Sequence, residues 1–155
     1  MADVSGLDRA APRLAARGER TMRTDEPTGV QVPERTHPGL PPAPGQVERR
    51  AFAYVRHGTR TCILSRDVAT GRIVAPSCGP TRTEADFLAH SRGVVASDPA
   101  AARWHVVVDD RDIHRAASLV RFVAAVSGVA DDLGAKGKRG ILADHQTRTA
   151  FLRDP

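Results

Sequence analysis

"WHVVVDDRDIH", residues 104–114, runs three valines into three acidic side chains that fall within four positions. The apolar run predicts a strand buried on both faces, as in the middle of a mixed sheet. The period then changes. Leu119, Val120, Val123 and Val126 recur at helical spacing up to Gly128, which predicts a helix over 113–127 with these residues inside. Asp109 and Asp110 thus stand at the carboxyl end of a strand, where open α/β sheets bind ligands. Two carboxylates about 4 Å apart repel by roughly 4 kcal/mol at an effective dielectric near 20, so a converging pair calls for a cation. Magnesium suits such oxygen donors. The same residues also admit a plainer reading, in which Asp110 or Asp112 caps the helix and favours its dipole.

Upstream, "TRTEADFLAH" places Thr81 and Glu84 like a capping box, and Phe87, Leu88, Val94 and Val95 follow at helical spacing. A helix over 83–96 is expected, ended by Ser97-Asp98-Pro99. Before it, alternation in "RRAFAYVRHG" predicts one strand and "TRTCILSRDV" a second, with His57-Gly58-Thr59 as the hairpin turn between them. A turn at Thr70-Gly71 leads to a short extended run at 72–74. The order is an antiparallel meander, a helix, a central strand and a helix, which predicts an α/β fold with a sheet of mixed direction. A last short helix is expected over 143–152.

The flanks are less regular. Residues 1–20 suit a short helix or no fixed structure. Residues 21–46 are rich in proline and turn residues, which forbids a long helix and leaves room for short extended pieces. The expected organisation is therefore a leader over 1–23, a Pro-rich loop over 24–50 and the main domain over 51–155.

The totals are compatible with this. The chain has 155 residues, 41% hydrophobic and 26% charged, enough for one domain with a modest core. Aromatics are 4%, so aliphatic side chains must fill that core. Net charge is +5, which favours polyanions, nucleic acid before an acidic membrane. No apolar run approaches a membrane span and the first residues lack an apolar signal core, so a cytoplasmic protein is expected. Cys62 and Cys78 stand apart from any paired-cysteine motif, which favours reduced thiols over a disulfide or a zinc site.

Several blocks, taken in order, resemble one family. "TDEPTGVQVPERTHPGLPPAPGQVERRAFAYVRHGTRT", "DVATGRIVAPSCGPTRTEADFLAH" and "WHVVVDDRDIH" are similar to DDE transposases of the bacterial insertion-sequence branch of the mariner-like superfamily, over residues 24–155. The resemblance implies an RNase H-like fold, incomplete at its carboxyl end. It implies Asp25, in "DEPTGVQ", and Asp109 as catalytic carboxylates that together hold two magnesium ions. The expected chemistry is DNA strand cleavage and strand transfer during transposition. The family's third carboxylate lies in a segment with Trp, Asn and Glu that does not occur here, and Asp144 is a weak stand-in. The resemblance therefore implies a truncated chain, inactive alone. The alternative is a DNA-binding protein without catalysis that pairs with itself or with an intact transposase. Arg49, Arg50, Arg56, Lys136, Lys138 and Arg139 are the candidate phosphate contacts on element ends or target DNA.

Overall fold

The structure is a computed structural model, and it describes residues 4–50, 52–109 and 111–144. Its strands are β1 (Glu19–Asp25), β2 (Val30–Arg35), β3 (Tyr54–Asp67), β4 (Ile73–Gly79) and β5 (Arg103–Val107). Its helices are α1 (Val4–Ala15), α2 (Glu84–Ala96), α3 (Ala117–Val126) and the single turn α4 (Ile141–Asp144). A 3₁₀ turn at Asp112–Arg115 precedes α3. The fold is α/β with one mixed sheet. Among the described residues no helix is long and apolar enough to cross a membrane.

The centre of the sheet is β1. It pairs antiparallel with the second half of β3 and parallel with β5, while β4 covers the other side of β3. The sequence "ERTMRTD" has little β character, yet Thr21, Met22 and Thr24 are buried. Its charges are met by neighbours: Arg20 donates to Asp98 at 2.7 Å and Arg23 to Asp8 of α1 at 3.2 Å. Tertiary pairing overrides propensity here. The expected boundary between a leader over 1–23 and a loop from 24 falls inside this strand.

Strand alternation separates the two faces. Thr24 bonds Ser65 at 2.7 Å and Ser65 bonds His90 of α2 at 2.7 Å, so the even-numbered face of β1 looks toward α2. Arg23 reaches α1, so the odd-numbered face looks the other way. Helices therefore flank both faces of the sheet. Burial of His90 lowers its pKa from the ordinary value, against a smaller opposing effect from its bond to the Ala75 backbone.

Several expectations are corrected. His57-Gly58-Thr59 makes no hairpin turn; β3 runs straight through it, and Gly58 at φ 104° sits where the pairing with β2 slips. A glycine there supplies a positive φ for a bulge as readily as for a turn. The capping box of α2 is Thr83 with Asp86: the Asp86 N–H donates to Thr83 Oγ1 and the Thr83 N–H to Asp86 Oδ2. The bonds its carboxylate accepts, first from the Thr83 N–H and then from the hydroxyls of Thr83 and Thr81, hold the Asp86 carboxyl below its ordinary pKa.

Among the described residues β5 pairs with β1 only, so it is an edge strand and not a middle one. Val106 is half exposed accordingly. The expected 113–127 helix is broken at Ala116, whose backbone is extended, and α3 starts after it. Val120 and Ala124 are buried on α3, while Val123 and Val126 face out. Val129 and Gly128, the latter at φ 69°, donate back to the carbonyls of Ala124 and Ala125 and close the helix. The expected 143–152 helix has only Ile141–Asp144 within the described residues.

The two cysteines are also corrected. Cys62 and Cys78 lie directly opposite in the β3–β4 register and are joined as a disulfide. Spacing of 16 in sequence hid a contact that register creates.

Candidate metal centre

The carboxyl ends of β1 and β5 are neighbours because the two strands are parallel and paired. Each ends in acids. On β1 the last residue, Asp25, lies on the odd-numbered face and is exposed. Its carboxylate accepts from the Glu26 N–H at 2.8 Å. The next residue, Glu26, continues the even-numbered face toward α2 and is 4% exposed. Pro27 follows and ends the extended run.

Glu26 meets two residues from the β5 side. Its Oε1 lies 2.5 Å from His114 Nε2. The other ring nitrogen of His114 lies 2.7 Å from the Asp109 carbonyl oxygen and 3.0 Å from Asp109 Oδ1. Ligand atoms of Glu26, Asp109 and His114 all fall within 4.8 Å of one another. The 3₁₀ turn at 112–115 brings His114 back over the strand end, and Phe87 of α2 packs on its ring at 4.4 Å between centroids.

Two guanidinium groups border this cluster. Arg111 donates to Asp109 Oδ2 at 2.8 Å and stands 3.9 Å from Glu26 Oε2. Arg82, just before α2, also stands 3.9 Å from Glu26 Oε2. At that separation neither makes a hydrogen bond. Glu26 Oε2 and Arg82 Nη1 are both buried without a hydrogen-bond partner. A buried carboxylate oxygen without a partner is costly, and an orphan of this kind suits an incoming donor or cation.

The cluster has the donor chemistry of a divalent site. Two carboxylates and an imidazole suit manganese or zinc as well as magnesium, because imidazole is a softer donor than oxygen. Glu26 and His114 were not singled out from the sequence. Both stood in the quoted motifs, "DEPTG" and "DDRDIH", and period two from the buried Thr24 points to Glu26 over Asp25.

The other sequence-derived sites are placed as follows. Asp109 is in the cluster. Asp25 is beside it in sequence but on the opposite face of β1, and it is not among the three converging residues. Asp110 lies outside the described residues. Arg111 occupies the N-cap position of the 3₁₀ turn and Ala116 that of α3, and neither side chain caps. Asp112 is the first residue of the 3₁₀ turn, one place past its N-cap position. Asp144 is the last residue of α4. Arg49, Arg50 and Arg56 are exposed near or on β3, and Lys136, Lys138 and Arg139 are exposed in the turn after α3. Arg50 is paired with Glu48 at 2.7 Å.

No family model matches the chain, and no curated protein matches it. Among solved structures it is similar to one described as "Crystal structure of the Mos1 mariner paired end complex with Mn". The likeness has 14% identity and a TM-score of 0.44, and covers 81% of this chain and 42% of that one. This chain thus spans less than half the length of that protein, and a likeness of this degree decides neither fold nor function.

Proposed function

We propose that this chain is an RNase H-like core of the DDE transposase kind, whose strand-end cluster binds a divalent cation and a DNA phosphate. The observation that carries the reading is the meeting of Glu26, from the end of the central strand, with Asp109 and His114 from the end of its parallel neighbour. The strand order, with β1 flanked by antiparallel β3 and parallel β5, supports it. So does the resemblance of the "DEPTG" and "VVVDDRDIH" blocks to the insertion-sequence branch of that superfamily.

In this reading Glu26 and Asp109 hold the cation, with His114 as third donor, and Asp25 is the rival to Glu26 on β1. A divalent cation there would neutralise phosphate charge and activate a water or 3′-hydroxyl for in-line displacement. Arg82 and Arg111 supply fixed positive charge beside the same oxygens and would orient a phosphate. Phe87 excludes water from one side of His114. DNA ends and target DNA are the proposed substrates, and pairing with itself or with an intact transposase is the proposed context.

Manganese binding tests the centre. Loss of the free-ion electron paramagnetic resonance signal is expected with the wild-type chain and not with Asp109→Ala. Glu26→Gln and Asp25→Asn, compared side by side, decide which β1 acid is the ligand. Equal binding by wild type and Asp109→Ala sinks the proposal. Supercoiled-plasmid nicking by this chain alone is expected to be slight, because two acidic segments and not three converge among the described residues. Robust nicking abolished by Asp109→Ala would make the chain an enzyme in its own right.

A second reading, DNA binding without catalysis, is favoured by one specific feature. Arg82 and Arg111 already stand 3.9 Å from the buried Glu26 carboxylate, so two guanidinium groups offset its charge without a metal. Salt-dependent DNA binding together with absent metal binding would select it.

A further inference from the structure

The first half of β3 leaves the body of the sheet. From Tyr54 to Arg60 it pairs with β2 alone, and every described residue of the ribbon and its connecting loop, from Val30 to Arg60, is exposed. Yet this segment is not simply polar. Phe52 is 91% exposed and Tyr54 49%, a large apolar surface to leave in water without use. Tyr54 lies opposite Arg35 and Arg56 opposite Pro33, and directly opposed residues share a face. Gln31, Pro33, Phe52, Tyr54 and Arg56 together line one open cleft of about 420 Å³.

We propose that this ribbon face is a stacking platform for unpaired nucleobases, with Phe52 and Tyr54 as the stacking surfaces and Arg35 and Arg56 on the adjoining phosphates. Phe52 stands two residues before the start of β3 and lines the same cleft as Tyr54. Aromatic faces accept any base, and arginine adds phosphate contact and cation–π attraction. The charge selects this partner. Residues 30–60 carry five arginines against two glutamates, and both glutamates are engaged, Glu34 by His57 and Glu48 by Arg50. Arg35 and Arg56 form no ion pair among the described residues. A second copy of the chain, itself at +5, would meet this face with like charge. The proposal extends the DNA reading above but does not use the metal centre, so the two can fail separately.

The test is fluorescence anisotropy of a labelled oligothymidylate in EDTA, with the full chain, against a duplex of the same length. Tighter binding to the single strand is expected. Phe52→Ala and Tyr54→Ala should each weaken it roughly 5- to 100-fold, while Phe52→Trp keeps it. Arg35→Ala and Arg56→Ala should each lower the slope against log salt by about 0.7. Arg72→Ala, at an exposed arginine outside both the ribbon and the strand-end cluster, should bind like wild type, and EDTA keeps the assay independent of the metal centre. Aromatic variants that bind like wild type, or a duplex bound as tightly as the single strand, overturn the proposal. So does a Phe52→Ala variant that only converts a dimer to a monomer in sedimentation, since the occupant would then be a second copy.

Discussion

Strand β3 belongs to two different environments, and the contrast between its halves explains much of the molecule. Its second half pairs with β4 from Thr61 to Arg66 and with β1 from Leu64 to Asp67, and Ile63, Ser65 and Asp67 are buried. From Tyr54 to Arg60 it has β2 on one side and nothing buried on either face. One half is held by packing; the other is held by a two-stranded ladder, which is marginal by itself. A β-ribbon that buries nothing contributes little to stability, so its exposed aromatics and arginines need another purpose. The body, by contrast, carries the buried Glu26 of the strand-end cluster.

Substitutions can break this contrast. The largest effect is expected at Met22, which is 1% exposed on the central strand. Met22→Ala should cost about 2–5 kcal/mol in urea unfolding, through lost transfer energy and a cavity. A loss below about 1 kcal/mol would mean that β1 is not the core of the sheet. Next is the Cys62–Cys78 link, which ties β3 to β4 where β3 enters the body. Removing it by Cys62→Ser with Cys78→Ser should cost about 3 kcal/mol, the loop-entropy value for a closed loop of this size. No difference between the variant and wild type under non-reducing conditions would argue that the bond does not form in solution.

The capping box is a smaller lever on the body. Thr83→Ala should destabilise by about 1 kcal/mol, since it removes the acceptor for the Asp86 N–H. His90 gives a pH signature of the same packing. Its folded pKa is below the ordinary histidine value, so the unfolded chain binds the extra proton more readily. Its contribution to stability is complete above the ordinary histidine range and is lost as pH falls from there toward the depressed folded value. Unfolding free energy measured from neutral to mildly acidic pH should therefore decline, and His90→Asn should flatten that decline. A stability profile unchanged by the substitution would mean that His90 is not buried as described. The smallest effect is expected on the ribbon, where Phe52→Ala should stay within about 0.5 kcal/mol of wild type. A larger loss would show that the ribbon packs against something.

Legibility differed by the kind of contact involved. The helix over 84–96, the strand before Asp109 and the turn at Thr70-Gly71 were readable because periodicity and turn chemistry are local. The central strand was not, because "ERTMRTD" is stabilised by β3, β5 and two ion pairs far away in sequence. The capping box slipped by two residues, from Thr81 with Glu84 to Thr83 with Asp86, because two threonine–acid pairs stand at usable spacing. Of the cluster, Asp109 was legible as an acid at a strand end. Glu26 and His114 were not, because which of two adjacent acids faces inward depends on the face that α2 covers.

The sequence alone determined an α/β chain with acids at strand ends, a basic surface and a proline-rich segment between strands, because these follow from composition and short-range pattern. Tertiary structure decided that β1 is central, that Cys62 meets Cys78, and that Glu26 and His114 converge with Asp109. It also decided that half of β3 stands free as a ribbon. Each of these depends on register and on which face a partner covers, and a one-residue change in register reverses the facing of every side chain.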